Sequence, residues 1–223
     1  AVVAMALGWR AIFALLGVIA VIALVRAWPR WHETRPRAAS KQGPRLASIL
    51  RNGAFWVYTI GFGTAMGSFF VFFSIAPRVL IDGAGWDQMA FSLAFASAAL
   101  AMILTTRVIP HCVERWGIQG CFVRGSCTLA AGAMVLAALS ACTTPSFVTF
   151  VMPMWLMCVG IVMIVSVTAN GALADFADAA GTAVALYYAI QSLIVSGVGT
   201  LSVLMFNGAT PWPLVAYGLV MPT

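Results

Sequence analysis

The chain has 223 residues, 62% hydrophobic and 8% charged, with a mean hydropathy of +1.00 and a net charge of +6. A soluble domain of this length carries about a quarter charged residues, so a water-covered globule is excluded, and the lack of ~10-residue alternating segments excludes a transmembrane barrel. The positive charge does not mark a nucleic-acid surface: Arg26, Arg30, Arg35, Arg37, Lys41, Arg45 and Arg51 crowd between two apolar runs, the pattern of a cytoplasmic loop, without a folded binding platform.

In chain order, residues 1–8 read as the end of one helix and Ala11 to Trp28 as the first complete span. Pro29 to Arg51 form a basic loop broken by Pro29, Pro36, Gly43 and Pro44. Gly53 to Ala76 make the second span, long enough at ~1.5 Å per residue to cross a ~30 Å hydrocarbon layer. At ~100° per residue, Tyr58, Phe62, Met66, Phe69 and Phe73 form one bulky stripe, with Gly63, Gly67 and Ser74 roughly opposite. Gly63-x-x-x-Gly67 has the spacing that lets another membrane helix approach backbone to backbone. Pro77 to Asp87 turn the chain into a third span, Gln88 to Thr106, where Ala90, Ala94 and Ala98 offer a second close-packing face. Arg107 to Arg124 read as another basic loop, with a short amphipathic piece from His111 to Trp116.

From Gly125 to Ala174 there is no charge, and Cys142-Thr-Thr-Pro-Ser146 is the turn that divides this run into spans at 121–141 and 147–169. Asn170 to Ala180 form a loop carrying Asp175 and Asp178, with Asn170-Gly171 as a helix end. Gly181 to Phe206 make the sixth span, Asn207 to Pro213 turn the chain, and a seventh begins. With the first basic loop inside, strict alternation puts 107–124 and 170–180 inside too, leaving only Arg10 and Arg78 outside. The five cysteines form no C-x-x-C pair, so neither a disulfide nor a metal site is expected. Both ends fall within apolar runs, so the chain is expected to be a piece of a longer, twelve-helix protein.

The expected fold is all-α and polytopic, with six complete helices (six to eleven) and partial helices at both ends. Residues 1–28 would close an amino-terminal half, 29–52 would link the halves, and 53–223 would be a carboxy-terminal half truncated in helix twelve. Pseudo-symmetric halves of this kind occur in the major facilitator superfamily.

Gly8-Trp9-Arg10-Ala11-Ile12-Phe13, Arg30-Trp31-His32-Glu33-Thr34-Arg35-Pro36 and above all Met66-Gly67-Ser68-Phe69-Phe70-Val71-Phe72-Phe73-Ser74-Ile75-Ala76-Pro77 resemble the chloramphenicol and florfenicol exporters. These belong to the bicyclomycin-resistance-type drug:proton antiporters of the major facilitator superfamily. Pro153-Met154-Trp155, Ser166 to Leu173 and Gln191 to Ser196 continue the resemblance along the chain. Val113-Glu114-Arg115-Trp116-Gly117, with Arg124 following, is similar to the family's cytoplasmic Asp-Arg-x-Gly motif. It has Glu114 for Asp and Gln119-Gly120 where basic residues are common, and implies an arginine docked on helix ends and acids of the neighbouring half, with a gating role as the alternative.

The resemblance implies export of a small, neutral, aromatic drug across a bacterial inner membrane, driven by the proton gradient and without a cofactor. A related exporter with another drug range, or an inactive half, are the alternatives. Partners would be the drug, the lipid bilayer and the missing amino-terminal half; no nucleic acid is expected. Proton coupling needs an ionisable group inside the membrane, and none of the spans from Ala54 onward embeds one, so the coupling acid is expected upstream of Ala1. A membrane-embedded enzyme would need clustered nucleophile, base or ligand residues, and two loop histidines with no buried acid assemble nothing of that kind.

A phenicol site should be apolar and aromatic with a few polar groups. Candidate cavity residues are Tyr58, Met66, Phe69 and Phe73 on the second span, with lipid contact as the alternative. Tyr188 and Gln191 join them from the sixth span, where Ser192, Ser196 and Gly199 share a side; the alternative for Gln191 is an interhelical hydrogen bond. Ser166 and Thr168 are expected to bond back to their own helix.

Overall fold

A computed structural model describes residues 8–30, 46–142, 146–205 and 210–220. It falls into two compact units, 1–41 and 42–223. The tail at 1–7, most of the first basic loop and residues 143–145 of the expected turn lie outside the described residues. The first unit contributes α1, Trp9–Ala27, and a 3-10 turn, Trp28–Arg30. Leucines, valines and isoleucines lie on every side of α1, the composition of a helix surrounded by hydrocarbon.

The second unit begins with the short α2, Leu46–Leu50. Asn52 then starts α3, Gly53–Pro77: its Oδ1 accepts the Phe55 N–H at 3.0 Å, a side-chain cap for an otherwise unpaired amide. The helical path does not stop at Pro77 as the sequence suggested. It continues through one wide, π-type turn, Arg78–Gly83, and ends near Gly85, whose φ of 70° favours glycine.

α4, Gln88–Cys142, spans 55 residues, well over twice the ~20 that one crossing needs at ~1.5 Å per residue. Its single non-helical residue is Gly117, φ 70° and ψ 177°. Leu104 and Thr128 line one groove, so the chain folds back at Gly117 into two antiparallel arms, 88–116 and 118–142. The expected loop at 107–124 is thus helix on both sides of one glycine. Charged side chains on a helix can reach water without breaking its backbone, and only the reversal itself needs a residue free of Cβ.

A capping box at Ser146 and Thr149 opens the next turn, Phe147–Val151, which runs into α5, Met152–Leu173. α5 passes through Asn170-Gly171, which is therefore no helix end. Gly171 is a contact: a Cβ there would lie 2.5 Å from the Tyr58 ring. The 3-10 turn Ala177–Ala179 leads into α6, Ala180–Met205, and α7, Trp212–Val220, completes the described chain.

α5 sits at the centre, packed most extensively on α4 and then on α3, while α6 leans mainly on α3. The closest approach joins the second arm of α4 to α5. A Cβ on Gly160 would stand 2.6 Å from Leu129 N and 2.7 Å from Gly125 O, and one on Gly132 would stand 2.9 Å from Met157 N. The Gly63/Gly67 pair behaves differently from the expected backbone contact. Gly67 faces the Tyr217 hydroxyl and Gly63 faces Ile194, so side chains rather than a second backbone fill the notch. The phenol needs an acceptor inside an apolar bundle and donates to Gly63 O at 3.1 Å. Ala94 and Ala98 are buried as expected of a packing face.

Among the described residues no buried side-chain nitrogen or oxygen lacks a hydrogen-bond partner. Thr59, Thr64 and Ser68 donate to their own helix carbonyls at 2.6, 2.9 and 2.9 Å. Side chains of different helices also bond to each other: Tyr187 Oη donates to Thr168 Oγ1 at 2.9 Å, and Trp155 Nε1 to Ser97 Oγ at 3.0 Å. Asn52 also donates to Asp175 at 3.0 Å, and Phe55 meets Phe176 edge-on. The start of α3, the end of α5 and the start of α6 therefore share one end of the bundle, the end that the charge pattern assigns to the cytoplasm.

Candidate functional site

α3 and α6 run parallel. Phe62 packs on Tyr187 and Tyr188, Gly63 on Ile194, and Phe70 on Gly199, in the same order along both helices. Gly199 permits this approach, since a Cβ there would be 2.8 Å from the Phe70 ring. Above the Gly63 contact the helices leave a groove of 380 Å3 lined by Met66, Phe69, Phe70, Phe73, Ser74 and Val195. Its volume lies within the ~300–1,000 Å3 typical of small-molecule sites.

Three candidates from the sequence, Met66, Phe69 and Phe73, meet in this groove. Phe69 and Phe73 contact each other at 5.4 Å between centroids, and Phe73 abuts Phe95 of α4 at 4.7 Å. A wall of π faces with one thioether and one hydroxyl suits a flat, uncharged, aromatic ligand. The hydroxyl is already engaged: Ser74 Oγ donates to Phe70 O at 2.8 Å and retains acceptor capacity.

The other candidates lie elsewhere. Tyr58 packs against Phe122 at 5.1 Å and against Gly171, so it belongs to the seam joining α3, α4 and α5 and does not line the groove. Tyr188 is half-exposed, 6.2 Å from Phe62, on the same side of the α3–α6 pair but nearer the end where Asn52 meets Asp175. Gln191 Nε2 donates to its neighbour Ser192 Oγ at 3.0 Å, and among the described residues it bonds to no other helix. Thr168 donates weakly to Val165 O at 3.3 Å but also receives the Tyr187 hydroxyl, an interhelical role absent from the sequence reading.

Sequence reasoning missed Phe70, Ser74 and Val195. Ser74 lies on the glycine side by helical spacing, yet the groove opens between the two sides of α3. Val195 had no distinguishing signal in an apolar helix. In the 113–117 motif, Glu114 and Arg115 are exposed and Gly117 makes the reversal. Arg124 stacks 4.6 Å over the Trp116 ring and donates to Gly120 O at 3.3 Å, contacts within its own hairpin.

A second groove, of 610 Å3, opens near the Gly117 reversal between the two arms of α4 and α5. Every acid among the described residues (Asp82, Asp87, Glu114, Asp175 and Asp178) is exposed, and none enters either groove. No group of three or more His, Cys, Asp or Glu side chains among the described residues could hold a metal ion.

A family model described as Major Facilitator Superfamily matches residues 1–200. A chloramphenicol resistance protein of Pseudomonas aeruginosa is 41% identical over 224 residues, covering 100% of this chain and 54% of that protein. A chloramphenicol resistance protein of Escherichia coli is 36% identical over 108 residues, 48% of this chain and 36% of that protein. An uncharacterized transporter of Rickettsia felis is 26% identical over 203 residues, 85% of this chain and 50% of that protein. The chain thus spans about half the length of the Pseudomonas and Rickettsia relatives. No solved structure matches it. The helices long and apolar enough to cross a membrane, the polar groups satisfied within them and the match over residues 1–200 lead to one conclusion: the chain is a multi-pass membrane protein that belongs to the Major Facilitator Superfamily.

Proposed function

We propose that this chain forms about half of an exporter of phenicol antibiotics, chloramphenicol and florfenicol among them, in a bacterial inner membrane, and that proton antiport drives it. The observation that carries the reading is the aromatic groove between α3 and α6 in a chain 41% identical throughout to a chloramphenicol resistance protein. A phenicol offers a flat ring for Phe69, Phe70 and Phe73 and polar groups for the acceptor side of Ser74. In this fold the other wall would come from the partner half across the cavity.

The described residues supply the drug face of the mechanism and no proton carrier, because every described acid is exposed at a helix end or turn. The coupling acid therefore belongs, in this proposal, to the region that the longer relatives have beyond this match. An exporter of other uncharged drugs is the second reading, favoured by Met66, whose flexible thioether adapts to differently shaped ligands.

The test is drug accumulation in an efflux-deficient bacterium carrying the intact gene, with and without a protonophore. Low chloramphenicol and florfenicol accumulation, raised by the protonophore, is expected. Phe69→Ala with Phe73→Ala should abolish the difference while protein remains in the membrane. Unchanged accumulation of both drugs by membrane-inserted protein contradicts the phenicol reading.

A further inference from the structure

The groove at the Gly117 reversal has a chemistry unlike that between α3 and α6. Its length is apolar, with Leu104, Val108, Val159 and Met163 along it, and its end near the reversal carries Trp116 and Arg124. Arg124 is exposed, and its contacts among the described residues are a ring face and one carbonyl, with no carboxylate. A guanidinium has five N–H donors, so most remain for an anion. At ~100° per residue, His111 and Arg115 continue the edge begun by Leu104 and Val108, and Glu114 lies about a quarter-turn away. An apolar channel thus ends in an aromatic side chain and the Arg124 guanidinium.

We propose that this groove binds an anionic phospholipid, its phosphate on Arg124 and one acyl chain along Leu104, Val108 and Met163. A tail gains little by leaving lipid for an equally apolar groove, so tail burial alone would not select one lipid. Selection comes from the headgroup: a guanidinium pairs with a phosphate, and a zwitterionic headgroup brings its own competing cation. Trp116 holds the guanidinium at the groove end through its ring face. The site is separate from the α3–α6 groove and does not depend on what that groove carries.

The test uses the intact purified protein, delipidated in detergent and titrated with phosphatidylglycerol or phosphatidylethanolamine of identical chains, with bound lipid counted by native mass spectrometry. About fivefold preferential retention of phosphatidylglycerol is expected from one cationic contact. Arg124→Gln should remove the preference and Arg124→Lys should keep most of it. Val108→Trp, which fills the channel, should lower phosphatidylglycerol retention with Arg124 intact. Thermal unfolding in phosphatidylethanolamine checks that the variants remain folded. Equal retention of the two lipids, an undiminished preference in Arg124→Gln, or displacement of phosphatidylglycerol by an equal concentration of inorganic phosphate would overturn the proposal.

Discussion

α5 and α6 are both long, uncharged and rich in valine and leucine, yet the protein uses them in opposite ways. In α5, Met154, Met157, Cys158, Ile161 and Val167 are buried and Gly160 brings the backbone against that of α4. Of the apolar core of 147–173, 61% is buried in the bundle, against 6% for 177–205. Of the described α6 residues only Ala183, Tyr187 and Gly199 are buried, and Leu193, Leu201 and Leu204 are left uncovered. Lipid is as apolar as leucine, so hydrophobicity does not decide which helix is central. Small residues decide it, because they let backbones close to the distance at which dispersion and polar contacts tell. The groove forms on the α6 side, where the packing is incomplete.

The sharpest way to break this contrast is to enlarge the seam. Gly160→Leu should cost on the order of 3 kcal/mol or more, since its Cβ would meet backbone atoms that cannot move aside. The variant should be lost from the membrane fraction or unfold at much lower detergent-denaturant ratios, while unaltered stability would refute the close seam. Adjacent residues on α6 give the next test. Tyr187→Ala removes a buried ring and its bond to Thr168 and should cost on the order of 3 kcal/mol. Tyr188→Ala, half-exposed, should cost under about 1 kcal/mol. Equal costs in an unfolding titration would mean that α6 is embedded on both sides.

The smallest effect belongs to the side-chain notch on α3. Tyr217→Phe removes only the bond to Gly63 O and should cost about 0.6 kcal/mol, the usual size of an interhelical hydrogen bond in membranes. A loss comparable with that of Gly160→Leu would contradict the ranking of the two glycine seams.

Much of this architecture can be read from composition and small-residue spacing. The apolar runs locate the crossings, and the alanines at 94 and 98 mark a buried face. What stays hidden follows from the solvent. In the uncharged run 125–174, Gly125, Gly132 and Gly160 look like any other membrane glycines, because their significance depends on which helix comes opposite. Gly171 resembles a helix stop until Tyr58 is seen lying on it. Charges at Arg107 and Arg115 imitate a loop although the helix carries them to its end. The stripe on α3 locates Met66, Phe69 and Phe73 in the groove, yet Tyr58 shares that stripe and is claimed by Phe122. Val195 could be found only from the partner helix.

The central claim is that the α3–α6 groove contacts the drug, and labelling of introduced cysteines tests it most directly. In the intact protein with its native cysteines replaced, Phe69→Cys, Phe73→Cys and Leu204→Cys would each be reacted with a maleimide, with and without chloramphenicol. Slowing of the reaction by severalfold at 69 and 73, and none at 204, is the predicted result. Equal rates with and without drug at 69 and 73, in protein that still transports, would contradict the assignment of the groove.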